Sequence, residues 1–193
     1  MADQKSVAHP SANYLWMAED WDLIDSLLSG TRKMRELGST YLSQETAERL
    51  SDYKKRLSRS YLKPALRNAI DTATGQIFKL DVNIDEVAPQ LKPFMEDVDL
   101  RGNNITSFLA GSFRNQLTYG HCHLLAEFAA TPPGATLATA RAVKARPYGV
   151  NIAPRNVIGW RPVTDTESPE KLGLVRFVEW LSNAQSMWDD DTT

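Results

Sequence analysis

The hydrophobic period of this chain changes part-way along it. From Tyr14 to Phe78 large apolar residues recur at spacings of three and four. Beyond Gly120 they gather instead in short runs rich in β-branched and aromatic residues, bounded by Pro, Gly or Asp clusters. The first pattern lays an apolar stripe along helices, and the second suits strands. The implied fold class is α+β: N-terminal helices followed by a small mixed sheet with one or two packed helices.

Tyr14, Met17, Trp21, Ile24 and Leu28 form one such stripe, with Asn13 as N-cap and Gly30 as stop. A second helix opens after Ser43, carries Glu45 and Glu48 near its N-terminus, and lines up Leu50, Tyr53, Leu57 and Tyr61. Pro64 must end or kink it, and Leu66, Ala69 or Ile70, Ala73 and Ile77 restart the period. Leu80, Val82 and Ile84 alternate with polar residues as in a short strand or extended linker, and Pro89 and Pro93 punctuate the stretch beyond them. After the turn signal Arg101-Gly102-Asn103, the residues Ile105, Phe108, Leu109, Phe113 and Leu117 predict a helix capped by Gly120. Strands are expected at 121–128, 148–152, 157–161 and 172–180, with a long loop at 129–146 holding a short helix around 138–143. Tyr148, Val150 and Ile152 are expected to face inward, with Trp160 over the same core. Three regions result: a helical one at 1–78, an α+β domain at 79–181 and a polar, acidic tail at 182–193.

Composition excludes several classes of function. A net charge of -2 and a pI near 5.9 argue against coating nucleic acid by bulk electrostatics. No apolar run approaches the roughly 20 residues that cross a bilayer, and the N-terminus has no apolar signal region, so no membrane is expected as a partner. One cysteine permits no internal disulfide, which fits a reducing cytoplasm.

His121-Cys122-His123 invites a metal reading. On a strand the two histidines share one face while Cys122 takes the other, and structural zinc sites need two spaced ligand pairs. The expectation is no metal, and the alternative of a metal-dependent enzyme built on His121 and His123 is the weaker one. Phosphate-binding glycine loops, nucleophile elbows and paired-histidine helices are all missing from the sequence. Glu96, Asp97 and Asp99 read as a solvated turn, not an acid–base pair. The chain is therefore expected to be no enzyme and to need no cofactor. Lys54, Lys55, Arg56, Arg59, Lys63 and Arg67 run without an intervening acid. On a helix, Arg56, Arg59, Lys63 and Arg67 would form a stripe, read first as a solvated face and alternatively as a phosphate or partner contact of a small phage adaptor or DNA-associated module. Trp16, Trp21, Trp160 and Trp180 read as core or interface fillers.

The order of landmarks resembles a family. RLSRSYLKPALRNAIDTATGQIFK, then FMEDVDLRGNNITSFLAGSFRNQLTYGHCHLLAEF, then ARPYGVNIAPRNVIGWRPV, is similar to the N-terminal part of tailed-bacteriophage portal proteins. The nearest likeness is to a portal-like subgroup known only as a domain of unknown function. The shared landmarks are the Asp97-x-Asp99-x-x-Gly102 turn, a helix ending at Gly120, the strand Arg146-Pro147-Tyr148, and a final strand with Ile158, Trp160 and Arg161.

The resemblance implies a portal wing-like fold and a mechanical role. Portal proteins form a dodecameric ring at one capsid vertex, the head-tail connector vertex, through which double-stranded DNA is packaged and ejected. The implied partners are further copies of the chain, major capsid and scaffolding proteins, the terminase motor, and head-completion or connector proteins. The implied location is the virion, with the host cytoplasm during assembly. Family members are longer and continue into stem, clip and crown, so this chain is expected to be the wing part of a longer portal. Where His121-Cys122-His123 stands, relatives more often carry small or apolar residues.

Overall fold

The computed structural model describes residues 6–128, 134, 136, 138–139, 145–162 and 172–179. Along the described residues run helices α1 (Ala12–Ser29), α2 (Thr31–Leu37), α3 (Leu50–Arg59), α4 (Ala65–Ile77), α5 (Lys92–Glu96) and α6 (Ile105–Tyr119). Strands β1 (His123–Phe128), β2 (Pro147–Ile152), β3 (Val157–Pro162) and β4 (Leu172–Phe177) come after them. The fold is α+β. The strands form two separate two-stranded antiparallel sheets, β1 with β2 and β3 with β4, in place of one mixed sheet. Each strand pairs with its neighbour in sequence, and antiparallel neighbours need no crossover helix to join them. Of the short helix expected near 138–143, residues 138–139 are helical and 140–143 lie outside the described residues, as do Trp180 and the tail at 182–193.

Two compact units emerge, one from Ala18 to Pro154 and one combining the residues up to Met17 with those from Arg155 onward. In the larger unit Trp21, Met34, Tyr53, Ile70 and Val98 are buried. Met34 comes from α2, whose seven residues are too short to show a period. Helix α4 and its C-cap residue Phe78 meet α6 through an edge-to-face pair of Phe78 and Phe113 at 5.9 Å and an Arg114–Asp71 ion pair at 2.5 Å. Ser112 and Thr118 are buried on α6, where they avoid stranded hydroxyls by donating to the carbonyls of Phe108 and Arg114 one turn back.

The smaller unit is built on β3 and β4, with Val157 and Ile158 at its core. Its N-terminal segment is pinned there: Ser11 N–H donates to the Ile158 carbonyl at 2.8 Å and Tyr14 Oη to the Arg155 carbonyl at 2.9 Å. Ser11, not Asn13, caps α1, its hydroxyl accepting from Tyr14 N–H at 3.2 Å. Trp160 is half-buried in this unit. Tyr148, Val150 and Ile152 are half-buried in the larger one. Trp21 is a core filler as expected, whereas Trp16 is 72% exposed.

Candidate functional site

In the larger unit the best-organised polar site grows from the turn between α5 and α6. The sequence EDVDLRGNN cannot continue α5, and its aspartates cap their own turn instead. Asp97 accepts Gly102 N–H at 2.8 Å, and Asp99 accepts Arg101 N–H at 3.0 Å and the Asn103 side-chain amide at 2.6 Å. Leu100 sits at φ 61 and Gly102 at φ 88, left-handed conformations that these bonds hold in place. Burial opposes ionisation of Asp99, but the Asn103 amide and the Arg101 and Asn103 N–H groups outweigh it and hold its carboxyl below the usual range.

Arg146 closes the turn from 49 residues away. Its guanidinium pairs with Asp97 Oδ2 at 2.9 Å, also donates to the Asp97 carbonyl, and lies over the Phe94 ring at 5.8 Å. Between the two aspartates Val98 is 2% exposed, and its carbonyl accepts Gly149 N–H at 2.8 Å. A Cβ on Gly149 would lie 2.9 Å from Val98 Cγ1 and 3.0 Å from Phe108 Cζ. Consequently the Gly149–Asn151 side of β2 meets α6, where Asn115 donates to Asn151 at 3.3 Å. Tyr148, Val150 and Ile152, expected to face inward, are half-buried as well. Those residues share the opposite face with His123, Leu125 and Glu127 of β1, and Tyr148 Oη donates to Glu127 at 2.6 Å.

A cleft of about 340 Å³ opens beside the turn, lined by Asp99, Arg101, Ser107, Tyr148 and Asn151 among others. The Asp99 carboxylate accepts three hydrogen bonds from its own loop. The arrangement suits holding a turn.

His121 and His123 do share a face, with ring centroids 4.9 Å apart, and His121 lies edge-on to Trp21 at 5.3 Å. Cys122 is half-buried. Among the described residues no three His, Cys, Asp or Glu side chains gather where they could hold a metal ion. Burial lowers the affinity of both imidazoles for protons, and for His121 the neighbouring His123 adds to the effect. Their folded pKa values therefore lie below the unfolded value of about 6.5. The neutral pair contributes stability that is present above about pH 6.5 and is lost as pH falls, because the unfolded chain binds protons first. Urea midpoints measured from pH 7.5 to 5 should decline below about 6.5, and a His121→Gln/His123→Gln variant should flatten that decline. A parent profile with no slope there would refute the assignment.

The basic residues do not form a continuous stripe, because α3 ends at Arg59 and α4 begins at Ala65. Arg56 is clamped on Glu48 by bonds of 2.7 and 2.8 Å, which hold the Glu48 carboxyl below its ordinary range. Arg67 donates to the Leu28 carbonyl. Arg59 and Lys63 remain exposed. In the smaller unit Ile158 is buried and Arg161 is exposed, both on β3. Sequence reasoning missed Val98 and Gly149. A glycine inside a strand pattern, which signals close backbone approach, was the available clue. Compared with known proteins, the chain matches no family model and no curated sequence. Among the described residues no helix is long and apolar enough to cross a membrane.

Proposed function

We propose that the chain is a structural, non-catalytic component of a tailed-phage portal ring and supplies the wing part of its subunit. The observation that carries this reading is the convergence of separated landmarks: Asp97, Asp99 and Gly102 make one turn, and Arg146 at the head of β2 locks it. A polar turn fixed this firmly serves shape, as a mechanical part requires. Strand β4 adds support for life in an assembly. Leu172 and Leu174 on one face, and Val175 and Phe177 on the other, are 39 to 52% exposed. Exposed apolar strands of this kind mark contact surfaces or aggregation sites.

In this reading the chain meets its own copies, the capsid shell and scaffolding, while double-stranded DNA passes through the ring they form. Specific interfaces bury about 1,200 to 2,000 Å², more than part of one flank supplies, so the isolated chain should be a monomer or weak oligomer. Size exclusion with light scattering checks that, and a stable closed ring from this chain alone would overturn the assignment to a wing. Mass spectrometry of purified virions made by the encoding genome checks the rest. Peptides of this chain in the particle are expected, and their absence from it would overturn the portal reading.

A further inference from the structure

Residues 60–64, between α3 and α4, form a non-helical link with two different sides. The inner side is fixed to α2. The Ser60 carbonyl accepts two N–H groups of Arg35 at 3.1 and 2.7 Å, and Leu62 N–H donates to Thr31 Oγ1 at 3.1 Å. Leu62 joins Leu27, Met34 and Tyr41 around an apolar cavity of about 200 Å³. Along the link exposure alternates: Ser60, Leu62 and Pro64 are half-buried, whereas Arg59, Tyr61 and Lys63 are exposed, Tyr61 at 72%. The exposed side thus carries Tyr61 with one cation two residues before it, at the end of α3, and another two residues after it.

The two cations are also available. Among the described residues Arg49 and Lys55 pair with Asp52, and Arg56 with Glu48, but neither Arg59 nor Lys63 joins an ion pair. Arg59 makes only a backbone bond, donating from Nε to the Lys55 carbonyl at 3.2 Å.

We propose that this face binds single-stranded nucleic acid, with a base stacked on Tyr61 and the flanking phosphates held by Arg59 and Lys63. The alternation of cation, ring and cation matches the alternation of phosphate and base, and the pinned backbone of the link lowers the ordering cost. An acidic peptide would use the two cations and leave the ring idle. A duplex keeps its bases stacked on one another and has none to offer. With about two phosphates engaged, affinity should fall with salt at a logarithmic slope near 1.4. This binding does not depend on the portal reading and is tested apart from it.

The test is fluorescence anisotropy of a labelled oligothymidylate titrated with the full chain at about 50 mM salt. Tyr61→Ala should weaken binding about 5- to 140-fold, while Tyr61→Phe, which keeps the ring, should bind like the parent. Arg59→Glu with Lys63→Glu should abolish binding, and an equal-length duplex or polyglutamate should compete poorly. Circular dichroism of each variant establishes that the fold is retained. No binding by the parent, or a Tyr61→Ala variant that is folded and binds unchanged, overturns the proposal. Equal competition by duplex or by polyglutamate overturns it as well, and assigns the face to general electrostatics or to an acidic protein.

Discussion

Replacing Trp21 by alanine should destabilise the Ala18–Pro154 unit by about 3 to 5 kcal/mol, a large part of the total for a domain of this size. The indole is 2% exposed, donates from Nε1 to the Tyr119 carbonyl at 3.1 Å, and lies edge-on to Tyr119 at 5.9 Å and to His121 at 5.3 Å. Tyr119 in turn donates to Asp25 Oδ1 at 2.7 Å, one helical turn beyond Trp21 on α1. Truncation would open a cavity among these groups and strand a carbonyl at the end of α6. Urea denaturation followed by circular dichroism gives the difference directly. Trp16→Ala is the control: that side chain is 72% exposed, and its loss should cost no more than about 0.5 kcal/mol. A Trp21→Ala variant within 1 kcal/mol of the parent, on that scale of about 3 to 5, would show that α1 does not anchor the end of α6.

The contrast between Trp21 and Trp16 shows what periodicity reveals. Tyr14, Met17, Trp21, Ile24 and Leu28 were identifiable as one stripe, and the structure leaves none of them exposed. The stripe says which side of α1 turns inward, and the same argument puts Trp16 outside it, although its residue type suggests a core. Elsewhere local signals misled for definable reasons. Tyr61 continues the spacing of Leu50, Tyr53 and Leu57, yet α3 stops at Arg59 because the Arg35 bonds to the Ser60 carbonyl favour an extended link. Pro93 looked like a breaker, but proline is tolerated in a first helical turn, and α5 contains it there. The Leu80, Val82 and Ile84 alternation makes no strand, since no partner edge pairs with it among the described residues.

The candidate site was half legible for a related reason. The Asp97 to Gly102 turn announces itself, because short-range side-chain to backbone bonds depend on spacing alone. That Arg146 would close it is long-range information, carried by no local pattern. Likewise the strand segments could be read from composition, whereas their division into two hairpins depends on which edges meet.

The closest of those long-range contacts gives the second large effect. Gly149→Ala should destabilise the same unit by about 1 to 3 kcal/mol, although alanine suits a strand no worse than glycine does. The added methyl would stand 2.9 Å from Val98 Cγ1 and 3.0 Å from Phe108 Cζ, and Val98 has no room to retreat at 2% exposure. The bond from Gly149 N–H to the Val98 carbonyl, at 2.8 Å, also holds the two backbones at this separation, so relief by sliding would break it. The strain should be specific to that contact. In a Val98→Ala background the methyl at 149 finds space left by the valine, and its cost should shrink by about 0.5 kcal/mol or more, as expected for residues in direct contact. Gly111→Ala is the matched control on the facing helix: its nearest neighbour would be Asn151 Nδ2 at 3.9 Å, an ordinary contact, and alanine favours a helix. Chemical denaturation of the parent and the three variants of the cycle, read on one probe, decides the matter. A Gly149→Ala protein as stable as its parent, or a cost unchanged in the Val98→Ala background, would show that β2 does not rest on the aspartate turn at this point.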